Sequence, residues 1–162
     1  LVPSPAAGKG IVLACAPKRE PIYAIKTDRA GSLGEEAIAW TSGGQPDITS
    51  DVPTPLFYRG DFFILSDLRK TLARIDPVSG KPKWTVPTPG KPKYEASPTG
   101  ADGRIFLINF AGDVAILNAD NGAVLHVIPM GEEGDDQTRS TIAVAAGNVF
   151  IRTNTRLFCI GK

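Results

Sequence analysis

The sequence predicts an all-β protein in which one four-stranded antiparallel unit recurs about four times. Residues 52–84 show the unit most completely: two short apolar runs are separated by Arg59-Gly60-Asp61, which is the signal of a tight hairpin turn. A polar turn and a third apolar run follow. Residues 76–80 combine Asp, Pro and Gly, which favour a second turn, and the strand after it carries Trp84.

Two landmarks of this unit recur along the whole chain. A small residue followed by Pro opens the first strand as Ser4-Pro5, Thr54-Pro55 and Ser97-Pro98, and Ser140-Thr141 takes this place in the fourth copy. The hairpin glycines Gly10, Gly60, Gly103 and Gly147 lie 50, 43 and 44 residues apart. A period of roughly 40–45 residues with four strands is typical of a β-propeller blade. A β-sandwich has similar hairpins but does not keep this register.

We therefore predict one partial β-propeller domain over residues 1–162, with blades at about 1–42, 51–88, 94–130 and 137–162. The last blade has a third strand ending at Ile160 and lacks a fourth. Residues 27–36 enlarge a turn of the first blade, which explains the spacing of 50. We expect the chain to be the C-terminal half of a propeller of about 7–8 blades. Its open edges favour self-association, for example as a homodimer of half-propellers.

Composition narrows the class of function. The chain is 42% hydrophobic and 22% charged, with a mean hydropathy of −0.04, as expected of a globular domain. A net charge of +1 without a basic patch argues against nucleic-acid binding, and no apolar run approaches a transmembrane length. The chain begins at Leu1 rather than Met and shows no signal peptide, so we interpret Leu1 as a trimmed or mature terminus.

No catalytic, cofactor or metal site is expected from the residue pattern. His126 is the only histidine and is interpreted as a packed blade-edge residue. The acidic loop at 131–136 lacks the ladder of oxygen ligands that a calcium loop needs, so we expect a solvated loop. Cys15 and Cys159 lie in the first and last copies, and we interpret them as small buried hydrophobic residues rather than as a disulfide or a reactive thiol.

Residues 76–84 resemble the tryptophan-docking repeat of quinoprotein-like (PQQ-like) β-propellers, in which Asp is followed by Gly four residues on and Trp eight residues on. Asp76, Gly80 and Trp84 match this motif. The third copy keeps the glycine, with Asn118, Gly122 and His126 at the three positions. The quinone-dependent dehydrogenases of this family hold their quinone with a vicinal disulfide, an Asp and Ca²⁺. No Cys-Cys pair is present here, so the resemblance carries no quinone-binding residue over to this chain.

The closing residues 152–162 resemble the end of bacterial PQQ-like repeat proteins that are similar to the β-propeller lipoprotein of the outer-membrane β-barrel assembly machine. This resemblance implies a non-catalytic scaffold in the periplasm or cell envelope, with envelope proteins or peptides as partners. The alternative is part of a quinone-dependent dehydrogenase whose active site lies in other blades.

First strands line the axis of a propeller, so the residues just before them lie near the mouth of the channel. The candidate partner-binding residues are therefore Asp51, Tyr94, Glu95, Gln137 and Arg139. The cations of the connection at 88–93 are interpreted as solvated.

Overall fold

A computed structural model describes residues 3–16 and 20–161, which form four antiparallel sheets. The strands are Ala6–Gly8 (β1), Ile11–Ala14 (β2), Tyr23–Lys26 (β3), Ile38–Thr41 (β4), Leu56–Tyr58 (β5), Asp61–Ser66 (β6), Thr71–Ile75 (β7), Pro82–Pro87 (β8), Thr99–Ala101 (β9), Arg104–Ile108 (β10), Asp113–Asn118 (β11), Val124–Pro129 (β12), Ala143–Ala145 (β13), Asn148–Arg152 (β14) and Leu157–Ile160 (β15). Each sheet is a meander in chain order, and the fourth has three strands. The predicted all-β fold and the missing fourth strand of the last blade are both confirmed.

Helix is confined, within the described residues, to the 3₁₀ turn Glu35–Ala37 in the enlarged turn of the first blade. No helical segment in this part of the chain has the length and apolar character that crossing a membrane requires.

A two-residue turn with positive φ at both positions joins the first two strands of every blade. In order, these turns are Lys9-Gly10, Arg59-Gly60, Asp102-Gly103 and Ala146-Gly147. Positive φ at both central residues is the geometry of a type I′ hairpin turn, and it explains why the glycine recurs. In the first copy, Ala6–Gly8 pair with β2 as a strand, so the turn is confined to Lys9-Gly10.

The core consists of three apolar clusters, one between each pair of neighbouring blades. Successive residues of a strand point to opposite faces of the sheet. On β6, Phe62 and Ile64 therefore pack towards the first blade, whereas Phe63 and Leu65 pack towards the third. A blade thus buries both faces when it has a neighbour on each side.

The outer strand of each complete blade carries a bulge at the same place. The register shifts after Ala24, Arg74 and Ile116, whose partners on the fourth strand are Trp40, Trp84 and His126 respectively. The Trp40 indole N–H donates to the Pro77 carbonyl at 2.8 Å, and that of Trp84 donates to the Asp120 carbonyl at 3.0 Å, each in the next blade.

His126 is exposed together with the rest of β12, so the expectation that it packs at a blade edge was wrong. The tryptophans dock on the turn that follows the third strand of the next blade. The described part of the fourth blade ends one residue after β15 and contains no such turn.

The two cysteines are free and differ in environment. Cys15 is partly buried against the cluster between the first two blades, and burial raises the pKa of its thiol to about 12. Cys159 is exposed on β15, so the expectation of a buried residue was wrong there. The side of the fourth sheet on which Cys159 lies has no neighbouring blade among the described residues.

The acidic loop is held more tightly than the sequence suggested. Asp135 is buried, and its carboxylate accepts hydrogen bonds from the Glu132 N–H and from the N–H and hydroxyl of Thr155 in the fourth blade. The loop therefore ties two blades together, whereas we had expected it to be fully solvated.

Candidate interaction surface

One face of the arc carries all the connections between blades. Strands alternate in direction, so the turn between the second and third strands lies at the same end of a blade as the connection to the next blade. We call this end the connector face. It comprises residues 42–55, 67–70, 88–98, 109–112, 130–142 and 153–156. All five candidate residues from the sequence lie in these connections, so the topology places them on this face.

A mixed-charge group on this face joins three blades. We call it the connector cluster, and its members are Asp67, Lys93, Glu95, Phe110 and Arg139. Lys93 Nζ lies 2.7 Å from Glu95 Oε1, and Arg139 Nε lies 2.9 Å from Glu95 Oε2. The Arg139 guanidinium carbon also lies 5.0 Å from the centre of the Phe110 ring, which is a cation–π distance.

Burial separates the two signs of charge within the connector cluster. The Asp67 carboxylate is buried and that of Glu95 is mostly buried, whereas Lys93 and Arg139 remain substantially exposed. Asp67 Oδ1 accepts the Asp51 backbone N–H at 3.1 Å. Asp67 Oδ2 has no hydrogen-bond partner among the described residues and lies 3.6 Å from Lys93 Nζ. The buried anions thus hold two cations at the surface.

The hydrogen bond to Glu95 is the main reason that the pKa of Lys93 lies above its ordinary value. Lys93 therefore keeps its positive charge at neutral pH. Lysine and arginine present several N–H donors, and those not used by Glu95 can bind a carboxylate or a backbone carbonyl of another molecule. The connector cluster is thus chemically suited to recognition.

The five candidate residues differ in their contacts and in their exposure. Glu95 and Arg139 form an ion pair, and Asp51 joins the same network through its backbone N–H. Gln137 is exposed nearby in the chain. Tyr94 does not belong to the surface: its ring is buried in the core, its hydroxyl donates to the Pro89 carbonyl, and burial raises its pKa to about 12.

Sequence reasoning missed Asp67, Lys93 and Phe110. We had interpreted Lys93 as a solvated cation, but it pairs with two carboxylates from different blades. Asp67 and Phe110 lie in the turns between second and third strands, which we had not considered as surface candidates. The position of these turns beside the connections of a meander was the signal that could have identified them.

Within the described part of the chain, cavities also lie between blades outside the connector cluster. A cleft of about 280 Å³ on the connector face separates the first two blades and is lined by residues that include Glu20, Gln45 and Arg69. A smaller cavity of about 140 Å³ lies between the last two blades, and its lining is entirely apolar, including Ile128, Met130 and Ile160.

The residues present do not fit a quinone site of the family type. Cys15 follows β2 and Cys159 lies on β15, so the two are far apart in the sequence and do not form the adjacent Cys-Cys pair of a vicinal disulfide. Across residues 3–16 and 20–161, no three His, Cys, Asp or Glu side chains come together as metal ligands.

Comparison with known proteins rests on structure alone, since no family model and no curated protein matches the sequence. The chain is similar to BamB from Moraxella catarrhalis, with a TM-score of 0.70 and 13% identity over 97% of this chain and 44% of that one. It is also similar to a quinohemoprotein alcohol dehydrogenase from Pseudomonas putida HK5, with a TM-score of 0.72 and 16% identity over 94% of this chain and 28% of that one. Similarity to the computationally designed Ika4 protein has a TM-score of 0.74 and 12% identity over 99% of this chain and 92% of that one.

These similarities establish the fold. The chain has a β-propeller fold, and it spans less than half the length of the two natural proteins. It spans nearly all of the designed one.

Proposed function

We propose that this chain belongs to a non-catalytic β-propeller scaffold that binds other proteins in the bacterial cell envelope, in a role related to outer-membrane protein assembly. The observation that carries the proposal is the connector cluster. It presents an exposed arginine stacked on a half-buried phenylalanine, and arginine and aromatic residues are enriched where binding energy concentrates in interfaces.

The charge arrangement indicates the chemistry of the partner. Asp67 and Glu95 are much less exposed than Lys93 and Arg139, so the accessible part of the cluster is mainly cationic. A partner segment with an acidic side chain or a free backbone carbonyl complements this surface. The buried carboxylates keep the cations in place before the partner arrives, which reduces the cost of ordering them.

The cell-envelope assignment is supported by fold resemblance to BamB and to a quinohemoprotein dehydrogenase. Fold resemblance does not carry function by itself, so this assignment depends on the binding experiment below.

That experiment is photo-crosslinking in cells with the full-length protein that contains this chain, using a photoreactive residue in place of Gln137 beside the cluster. We expect a discrete crosslinked partner that is lost in Arg139→Glu. Arg29→Glu is the matched control, because Arg29 has the same 50% side-chain exposure but lies in the first blade away from the cluster. Equal crosslinking in both variants, or no discrete partner, contradicts the proposal.

The second candidate function is a contribution to a quinone-dependent dehydrogenase. The similarity to a quinohemoprotein alcohol dehydrogenase is the observation that favours it. Dye reduction by the full-length protein after addition of quinone and Ca²⁺ tests it. Activity that requires both additions would favour the enzyme over the scaffold.

A further inference from the structure

We propose that the cleft between the first two blades binds a small zwitterion, an amino acid or the end of a peptide, whose carboxylate is held by Arg69. The cleft has a volume of about 280 Å³. Its lining comes from the turn before β3, from the connection at 42–49 and from the turn between β6 and β7. Both blades and their connection belong to this chain, so the cleft is not an open end of the arc. This site is independent of the partner of the connector cluster.

The arginine of the cleft has a counterpart in the fourth blade. Arg69 and Arg156 are each the ninth residue after the hairpin glycine of their blade. The backbone N–H of Arg69 donates to the Ser66 hydroxyl at 3.2 Å. That of Arg156 donates to the Thr153 hydroxyl at 3.1 Å, again three residues earlier. The two arginines therefore extend from equivalent backbone positions.

The connections that face these arginines also correspond. In the first connection the Gln45 carbonyl accepts the N–H of Ile48, and in the third the Glu132 carbonyl accepts the N–H of Asp135, both at 3.0 Å. Each pair lies nine and six residues before the threonine that opens the next blade. Gln45 thus occupies the position of Glu132, and Ile48 that of Asp135.

In the third connection, carboxylates of the chain itself fill the site. Glu132 Oε2 lies 2.7 Å from Arg156 Nε. The buried Asp135 carboxylate accepts the N–H and the hydroxyl of Thr155, in the same turn as Arg156. The turn therefore receives two carboxylates from within the chain.

In the first connection, the same two positions supply no carboxylate, because they are Gln45 and Ile48. The Arg69 side chain is exposed and forms no ion pair or hydrogen bond with residues 3–16 or 20–161. An arginine that would meet a carboxylate in the third connection thus lines an open cleft in the first. A ligand carboxylate can take the place that Glu132 takes beside Arg156.

The glycines before these positions show the same difference in space. Gly44 precedes Gln45, and Gly131 precedes Glu132. A Cβ at Gly131 would overlap the Ala111 carbonyl oxygen, whereas a Cβ at Gly44 would meet no atom within 4 Å. The third connection is therefore packed on the turn of its own blade, and the first leaves room for a ligand.

The groups beside Arg69 suit a carboxylate. Arginine has a permanent positive charge and presents several N–H donors in a plane. The Gln45 amide adds donors, and it has no hydrogen bond in the described part of the chain. The Ser42 hydroxyl oxygen accepts the Ile22 N–H at 2.9 Å, so the hydroxyl hydrogen remains available to a ligand in the cleft.

The opposite wall and the apolar lining indicate the rest of the ligand. The exposed Glu20 side chain lines the cleft from the first blade, and its carboxylate complements an ammonium group. Pro21, Pro46 and Ile48 add apolar surface. At about 30 Å³ for each water-sized group, the volume holds roughly nine such groups, which is the size of an amino acid or a peptide end. A zwitterion with an apolar side chain meets all three features.

The test is calorimetric titration of the full-length protein that contains this chain, with L-leucine and L-leucyl-L-leucine as probes. We expect saturable binding of at least one of them. Leucinamide lacks the carboxylate and isocaproate lacks the ammonium group, so each should bind about tenfold more weakly than leucine, or less. Tighter binding of leucine supports a site for a free amino acid, and tighter binding of leucyl-leucine supports a site for a peptide end.

Variants at the equivalent positions assign the site. Arg69→Gln removes the charge and should weaken binding about tenfold or more. Gln45→Glu places a carboxylate beside Arg69, as in the third connection, and should weaken binding similarly while the unfolding midpoint stays close to that of the wild type. Arg156→Gln is the matched control and should bind as the wild type does, because Arg156 already pairs with Glu132.

Four results would overturn the proposal. They are the lack of saturable binding of either probe, equal binding of leucine and leucinamide, unchanged binding in Arg69→Gln or Gln45→Glu, and loss of binding in Arg156→Gln. None of them bears on the crosslinking experiment at Gln137, so the two proposals fail separately.

Discussion

The backbone N–H of Thr54 donates a hydrogen bond to the hydroxyl of Ser97 across 2.9 Å, and these two residues open the first strands of neighbouring blades. The same bond joins Ser4 N–H to the Thr54 hydroxyl at 3.1 Å and Ser97 N–H to the Thr141 hydroxyl at 3.3 Å. A relay of hydroxyls thus links all four blades near the axis, which gives a physical reason for the recurring small residue.

The relay predicts a stability cost for Ser97→Ala. The change leaves the partly buried Thr54 N–H without its acceptor, so we expect the free energy of unfolding to fall by about 1 kcal/mol. Urea unfolding followed by tryptophan fluorescence measures it. Ser32→Ala, in an exposed loop, is the control and should change the midpoint little. Equal midpoints for the two variants would show that the relay does not contribute.

Tryptophan docking predicts different costs for two glycines with similar backbone angles. Gly80 and Gly147 have φ of 68° and 76°, so alanine strains the backbone at both. A Cβ at Gly80 would also lie 2.4 Å from Trp40 Cδ2, whereas nothing lies within 4 Å at Gly147. In denaturant unfolding, we expect Gly80→Ala to lower the free energy of unfolding by about 1–3 kcal/mol more than Gly147→Ala does.

A double variant checks the cause of that difference. Trp40→Ala removes the ring that the new methyl group meets, so adding Gly80→Ala to it should cost only what Gly147→Ala costs. Additive losses in the double variant would mean that the indole is not the obstacle.

The buried carboxylate of Asp61 predicts an asymmetry between its two cations. Arg74 Nε lies 2.6 Å and Lys83 Nζ 2.9 Å from Asp61, with side-chain exposures of 14% and 46% respectively. Arg74 also donates to the Ala119 carbonyl of the third blade. We expect Arg74→Met to lower the free energy of unfolding by about 3 kcal/mol, because it leaves a buried carboxylate without its buried partner. Lys83→Met should lower it by about 1 kcal/mol or less, because the Lys83 side chain is more exposed. Thermal or urea unfolding measures both. A larger loss of stability in Lys83→Met than in Arg74→Met would contradict this prediction.

The two cysteines should differ sharply in reactivity. Burial raises the pKa of Cys15 to about 12, so almost none of it is thiolate at pH 8, whereas Cys159 is exposed. We expect one thiol per chain to react quickly with a disulfide reagent at micromolar protein and two after unfolding. Cys159→Ser should abolish the fast reaction. A fast reaction that persists in this variant would show that Cys15 is accessible.

Asp135 predicts an acid-dependent loss of stability. Burial alone would raise its pKa, but hydrogen bonds from Glu132 and Thr155 together hold the pKa below its ordinary 3.8. A carboxyl group whose pKa is lower in the folded state stabilises the fold fully above its unfolded pKa, and this stabilisation is lost as pH falls through the folded pKa. We expect Asp135→Asn to be less stable than wild type at pH 7, with the difference shrinking below pH 4.

The exposed neighbour Asp136 supplies the control for that prediction. Asp136→Asn should leave the unfolding midpoint at pH 7 close to that of the wild type, because the Asp136 side chain is exposed. If both variants follow the wild-type curve, Asp135 does not contribute to the acid transition.

The number of blades and most of their turns could be predicted because they depend on local chemistry. Gly60 and its three counterparts are required by a positive φ, and Trp84 follows Gly80 at the spacing that lets the indole reach the next blade. These signals involve a few residues close in the chain.

The connector cluster could be predicted only in part. The sequence predicted the position of Glu95 and Arg139 at the blade connections, but not that they would contact each other across 2.9 Å. Tyr94 precedes the same strand and is buried, because its ring fills the core between two blades. Periodicity does not distinguish these neighbours, since exposure in a connection depends on what packs above and below it.

The sequence by itself determined the four-fold repeat, the hairpin turns and the face on which the connections lie, because each follows from backbone preferences within one blade. Only the tertiary structure decided which charges pair, which cysteine is exposed and which blade faces remain uncovered. Those outcomes depend on contacts between residues of different blades, such as Lys93 with Asp67 or Arg74 with Ala119, whose distances no local pattern encodes.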